Sequence, residues 1–109
     1  MSIIMIAEIG INHNGDMDIC KQLIDTAQDS GADCVKFQKR DINQVYTQEF
    51  LDSPRISPWG ETQREQKSGL EFSKEQYKEI DQYCKEKNIE WLASAWDLNS
   101  QIFLQQFDC

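Results

Sequence analysis

Ala7-Glu8-Ile9-Gly10-Ile11-Asn12-His13-Asn14-Gly15 stands where an apolar run, begun at Ile3, gives way to a helical pattern. Ile3-Ile4-Met5-Ile6-Ala7-Glu8-Ile9 is rich in β-branched residues and apolar on both faces up to Glu8, the pattern of a strand buried on both sides in a parallel sheet. Strand side chains alternate, so Ile4, Ile6 and Glu8 share one face and Glu8 is a carboxylate at the strand's C-terminal end. In a strand-loop-helix unit that end is where chemistry is placed. Gly10 and Gly15 bracket the polar turn, and Asp16 is a fitting N-cap. Cys20, Leu23, Ile24 and Ala27 recur at helical spacing, and Gly31 is a natural stop, which predicts a helix over Met17–Ser30. Asp18, Lys21, Asp25 and Asp29 are expected to face mostly water.

Cys34-Val35-Lys36-Phe37-Gln38 reads as a second strand, reached through a helix of the right length for a right-handed parallel crossover. Val35 and Phe37 point one way, under helices. Lys36 and Gln38 point the other way, toward solvent on an open sheet or toward the mouth of a barrel beside Glu8. A Glu8–Lys36 pair on adjacent strands is equally readable as a structural ion pair. Residues 39–72 carry no sustained period. Pro54, Pro58, Gly60 and Gly69 break them up, and a short helix fits Thr47–Asp52. Tyr46, Phe50, Leu51, Ile56 and Trp59 argue for an ordered lid, since long connections of this kind are usually functional. Arg55, Arg64 and Lys67 read either as contacts for an anionic ligand or as a balance for local acid. Ser73-Lys74-Glu75-Gln76 fits a capping box. Tyr77, Ile80 and Cys84 then form one stripe, with Tyr83 beside it, and Asn88 suits a left-handed helix end. Ile89–Ser94 is a third strand with Leu92 and Ser94 on one face. Asp97 or Asn99 caps a last helix carrying Ile102, Phe103 and Phe107. The order is β-α-β-long loop-α-β-α, an α/β fold with a parallel sheet. Its polar strand residues, Glu8, Lys36, Gln38 and Ser94, gather at the strands' C-terminal ends, where open sheets and barrels bind ligands.

The composition narrows the classes. With 109 residues the chain makes at most one domain, and a net charge of −8 without a basic stripe disfavours a nucleic-acid partner. No apolar run is long enough to span a membrane and no signal peptide is visible, so a cytoplasmic location is expected. Cys20, Cys34, Cys84 and Cys109 form no Cys-x-x-Cys pair and read as reduced, packed thiols. No dinucleotide, Walker or nucleophile-elbow motif is present.

The first stretch, together with Gly31-Ala32-Asp33-Cys34-Val35-Lys36-Phe37-Gln38, resembles the opening of the sialic acid synthase family, which makes N-acetylneuraminate and related nonulosonates such as legionaminate and pseudaminate. Tyr46-Thr47-Gln48-Glu49, Ser57-Pro58-Trp59-Gly60, Gly69-Leu70-Glu71-Phe72 and Ala93-Ser94-Ala95-Trp96-Asp97 extend the likeness over essentially the whole chain. The resemblance implies a (β/α)8 TIM barrel that condenses phosphoenolpyruvate with an N-acetylated hexose such as N-acetylmannosamine. The enol carbon attacks the open-chain aldehyde, water attacks the resulting oxocarbenium carbon, and phosphate leaves. Glu8 matches the glutamate that orients the sugar or the water. Lys36 matches the lysine that binds the phosphoenolpyruvate anion, and Gln38 a polar residue beside the sugar. Ser94 falls, more loosely, where a hydroxyl faces phosphate.

The resemblance also implies a divalent metal, manganese or magnesium, whose histidine ligands come later in the barrel, and a homodimer for the full-length protein. His13 is the only histidine and has no second ligand beside it in the pattern. Asn12, His13 and Asn14 therefore read as loop-shaping residues, with direct substrate contact the lesser alternative. A full barrel takes about 250 residues. Residues 1–109 are thus expected to be an N-terminal fragment of the barrel domain, about three strand-helix units, inactive and marginally stable alone. The alternatives are another TIM-barrel aldolase or sugar-phosphate enzyme, or a non-catalytic barrel piece that needs a complementary half.

Overall fold

The computed structural model describes residues 3–107. Three parallel strands, β1 (Ile6–Gly10), β2 (Cys34–Lys39) and β5 (Glu90–Ala95), lie side by side in the order β1-β2-β5. Helix α1 (Met17–Asp29) connects the first two strands and α5 (Lys74–Lys87) leads into the third. Between β2 and α5 stand α2 (Ile42–Val45), α3 (Gln48–Asp52), a hairpin of β3 (Pro54–Ser57) and β4 (Gly60–Thr62), and α4 (Gln63–Gly69); α6 (Leu98–Leu104) follows β5.

Local chemistry sets the element ends. Asp16 caps α1 by accepting from the Asp18 and Ile19 N–H groups, and Gly31 leaves the helix at φ +90°. The predicted capping box is present: Ser73 Oγ accepts from Gln76 N–H while Gln76 Oε1 accepts from Ser73 N–H. Asn88 ends α5 in the left-handed conformation, φ 57°. Asp97, not Asn99, caps α6.

The core lies between one sheet face and the two long helices. Ile9, Val35, Phe37 and Trp91 project from the sheet onto Cys20, Ile24 and Ala27 of α1 and Tyr77, Ile80 and Cys84 of α5. Burying each large apolar side chain contributes about 1.5–3 kcal/mol. Phe37, Tyr77 and Trp91 meet edge-on or tilted, the arrangement their ring quadrupoles favour. Cys20, Cys34 and Cys84 are buried thiols; burial pushes the pKa of the first and last up to about 12, and the Asp81 carboxylate near Cys84 acts in the same direction. Cys109 lies outside the described residues.

Four expectations are corrected or refined. The first strand is not buried on both sides over Ile3–Ile9: it begins at Ile6, and Ile3, Ile4, Met5 and Ile6 are 79%, 71%, 58% and 52% exposed. The physical reason is that β1 is an edge strand, paired with β2 alone, and nothing among the described residues covers its outer side. Lys21 and Asp25 are half-exposed and also reach α5, where Lys21 meets Glu79 at 3.2 Å and the Tyr83 hydroxyl donates to Asp25 at 2.7 Å. Residues 39–72, expected as a long ordered connection with one short helix at Thr47–Asp52, contain that helix as α3 (Gln48–Asp52) and, beyond the expectation, α2, α4 and the β3–β4 hairpin. On α6, Phe103 and the following Phe107 pack against the core as expected, beside buried Leu104 and Ser100, whereas Ile102 is 57% exposed and lies on the outer side.

Candidate functional site

Glu8 and Lys36 are direct partners in the β1–β2 register, and their side chains meet at 3.3 Å. Both project from the sheet face opposite Val35 and Phe37, as alternation requires. Immediately after Glu8 the ladder slips: Gly10, not Ile9, stands opposite Phe37. This bulge, with Gly10 at φ +54°, turns the chain out of the strand just past the carboxylate. A Cβ on Gly10 would lie 3.2 Å from Glu8 Oε1 and 3.4 Å from Gln38 Nε2. Glu8 and Gln38 therefore converge over the bare glycine backbone. Ser94 is the register partner of Gln38 on β5, and all four side chains are at least partly open to solvent.

The loop beneath this wall is held by His13. Its ring is 2% exposed and stacks on Phe72 with centroids 3.9 Å apart. The Gly15 N–H donates to Nδ1 at 2.9 Å, so Nδ1 carries no proton and the ring is neutral. Burial lowers its pKa to about 4, against a smaller opposing effect of a hydrogen bond with the Gly10 backbone. Asn14 adopts the left-handed conformation, φ 54°, whereas the side chains of Asn12 and Asn14 are exposed and have no hydrogen-bond partner among the described residues. His13 alone of the three fixes the loop through its side chain.

Residues 39–72 seat themselves on that loop. A Cβ on Gly15 would fall 2.0 Å from the Gly69 carbonyl oxygen, and one on Gly69 would fall 2.2 Å from the Trp59 ring. The two glycines thus permit a backbone-to-backbone approach that the indole covers. At the end of β2, Arg40 is 4% exposed; its Nε donates to Glu71 Oε2 at 2.9 Å and its backbone N–H to Glu71 Oε1 at 2.9 Å. Lys39 approaches the same carboxylate at 3.9 Å, and Arg40 Nη1 donates to the Tyr46 hydroxyl at 3.1 Å. Tyr77 hydroxyl donates to the Gln38 carbonyl at 3.2 Å. Asp97 Oδ1 accepts from the Asp41 N–H at 2.8 Å, which ties the chain after β5 to the chain after β2.

The profile of the NeuB family matches residues 23–109. The chain belongs to the NeuB family. The N-acetylneuraminate-9-phosphate synthase of Drosophila melanogaster is 46% identical over 105 residues, which are 94% of this chain and 28% of that protein. The N,N'-diacetyllegionaminic acid synthase of Legionella pneumophila is 36% identical over 107 residues, 95% of this chain and 30% of that protein. A crystal structure of the N-acetylneuraminic acid synthetase of Leptospira borgpetersenii matches with a TM-score of 0.77 at 23% identity, over 97% of this chain and 33% of that one, and speaks for the fold. The chain thus spans about a third or less of the relatives it matches.

Against this family background the structure brings Glu8, Lys36 and Gln38 together and places Ser94 one strand away in register. It leaves Asn12 and Asn14 on the surface and His13 inside. Among the described residues no group of three or more His, Cys, Asp or Glu side chains makes a metal site, and His13 has its Nδ1 occupied by a backbone N–H. The divalent metal implied by the resemblance does not fit the side chains present here. Sequence reading missed the Arg40–Glu71 pair. Both residues were visible inside or beside quoted motifs, but 31 positions separate them and no local period links them.

Proposed function

We propose that this chain forms one wall of the active site of a nonulosonate synthase, condensing phosphoenolpyruvate with an N-acetylated hexose. Its three strand-helix units would be the first three of a (β/α)8 barrel, with the face bearing Glu8, Lys36, Gln38 and Ser94 turned toward the barrel axis. The observation that carries the reading is the Glu8–Lys36 contact at 3.3 Å on the sheet face that no helix among the described residues covers, with the Glu8 and Gln38 side chains both within reach of Gly10.

The chemistry follows from the groups. The Lys36 ammonium holds the carboxylate or phosphate of phosphoenolpyruvate and screens the charge that grows on phosphate as it leaves. Glu8, beside it, orients the sugar hydroxyl or the water that adds to the carbon from which phosphate departs. The Gln38 amide offers a donor and an acceptor to the acetylated hexose, and Ser94 a hydroxyl to phosphate. The Gly10 bulge keeps the space above the carboxylate free. Related family members make both phosphorylated and unphosphorylated acids, so the state of the hexose is a separate question. We place any metal ligands, and a partner subunit's contribution, outside the described residues.

The test is phosphate release from phosphoenolpyruvate, dependent on N-acetylmannosamine or its 6-phosphate, by an enzyme whose reading frame carries these residues. Glu8→Gln and Lys36→Ala are each expected to lower kcat/KM by about 10²–10³. Full activity in both variants overturns the assignment.

A further inference from the structure

Glu8 stands on an edge strand. Among the described residues β1 pairs with β2 alone, and the ladder slips straight after the carboxylate, so that Gly10 faces Phe37. Where the carboxylate sits therefore depends on how the chain is held just past the slip. The turn there is closed by the Asn12 N–H, which donates to the Ile9 carbonyl at 2.9 Å across Gly10 and Ile11. His13 follows at once.

The imidazole lies behind this turn, on the helix side of the sheet. Its ring centroid is 6.2 Å from that of Phe37, the register partner of Gly10, and 3.9 Å from that of Phe72, on which it stacks. Glu8 and Gln38 overhang Gly10 from the other side, and Phe37 stands between Lys36 and Gln38 in β2. One side chain, 2% exposed, thus backs the point around which Glu8, Lys36 and Gln38 gather. An apolar ring would fill this space equally well. The imidazole does more, because Nδ1 accepts from the Gly15 N–H at 2.9 Å and folds the loop back onto the ring. The His13 carbonyl accepts from the N–H of Asp16, the cap of α1, at 3.0 Å. Phe72 follows Glu71, whose carboxylate holds Arg40 at the end of β2. Side chains thereby lock the loop after β1 to the end of the neighbouring strand, where the ladder no longer does so.

We propose that His13 is a positioning residue of the proposed synthase reaction: it fixes the Gly10 slip from behind and so sets the Glu8 carboxylate against Lys36 and Gln38. The inference rests on the nonulosonate synthase reading and deepens it. His13 touches no reacting atom, and its effect passes through Glu8. A displacement of about 1 Å at a reacting group can cost about 10²-fold in rate, so a small relaxation of this loop is enough to be read in turnover.

The test is a double-mutant cycle on phosphate release, in an enzyme whose reading frame carries these residues, with circular dichroism reporting the folding of each variant. His13→Asn keeps an acceptor for the Gly15 N–H and removes the ring. His13→Phe keeps a ring against Phe72 and Phe37 and leaves that N–H unpaired. Phe72→Leu removes the other half of the stack and serves where a His13 variant unfolds. Each is expected to lower kcat about 10–100-fold and to leave KM for phosphoenolpyruvate within about twofold, because Lys36 lies on β2 and keeps its place. In a Glu8→Gln background the same substitutions are expected to lower kcat by less than about twofold, since the group they position is already gone. Losses of equal size in both backgrounds overturn the inference and leave the synthase reading intact, because His13 then acts on the fold as a whole. Full activity in a folded His13 variant, or a loss confined to KM, overturns it in the same way. Full activity in Glu8→Gln alone overturns the assignment of Glu8 instead, and the positioning role falls with it.

Discussion

His13 makes the stability of this chain pH-dependent between about pH 7 and 5, above the range where most carboxylates titrate. It is the only histidine, and carboxylates titrate lower. In the fold the ring is buried against Phe72 and its Nδ1 accepts from Gly15, which lowers the pKa from 6.5 to about 4. A depressed folded pKa means that the unfolded chain binds the proton first. The stabilisation is therefore complete above about pH 6.5 and drains away as pH falls toward 4. Between pH 7 and pH 5 the unfolded histidine becomes almost fully protonated while the folded one stays neutral. At ~1.4 kcal/mol per pH unit this removes about 2 kcal/mol of stability. With a urea slope of about 1–2 kcal/mol/M, the unfolding midpoint followed by tryptophan fluorescence should drop by about 1–2 M. His13→Gln should flatten this dependence whatever its own stability. A proton resonance titration of the His13 ring in the wild type supplies a second readout, with no inflection above about pH 5 while the chain is folded. A folded-state midpoint near 6.5, or equal urea midpoints at pH 7 and 5, refutes the reasoning.

Gly15→Ala should destabilise the fold by about 2 kcal/mol or more in the same urea assay, since its φ of +72° and a Cβ 2.0 Å from the Gly69 carbonyl oxygen act together. Glu71→Gln strands the buried Arg40 guanidinium without its charged partner; a loss of about 3 kcal/mol is expected, against under about 0.5 kcal/mol for the exposed Glu75→Gln. Cys20 and Cys84, both pushed up to about 12, should resist iodoacetamide at pH 8 in the folded chain and react in urea; rapid native-state alkylation would show that the α1–α5 core is open.

Much of the scaffold was legible because it rests on local rules. Caps at Asp16, Ser73 and Asp97, left-handed Asn88, and the alternation of Val35 and Phe37 against Lys36 and Gln38 each depend on a few adjacent residues. The Ile3–Ile6 run misled for the same reason: apolar patterning reports what a strand would bury, not whether a neighbour is there to bury it. In residues 39–72 the helices are four to seven residues long, less than two turns, so no sustained period declares them, and only α3, behind its Thr47 cap, was expected. Arg64 and Lys67 look alike in the sequence, and only three-dimensional neighbours separate them: Arg64 meets Asp52 at 3.0 Å, whereas Lys67 lies 5.5 Å from the Tyr46 ring.

The α/β order, the family likeness and the shared facing of Lys36 and Gln38 follow from the sequence alone, because a period-two strand leaves no other choice. Tertiary structure decided the rest. It brought Glu8 to 3.3 Å from Lys36 through the strand register and a slip at Gly10, joined Arg40 to Glu71 across 31 residues, and set Gly69 on Gly15. Those contacts arise from packing between segments far apart in the chain, and no local pattern encodes the distance at which two such segments meet.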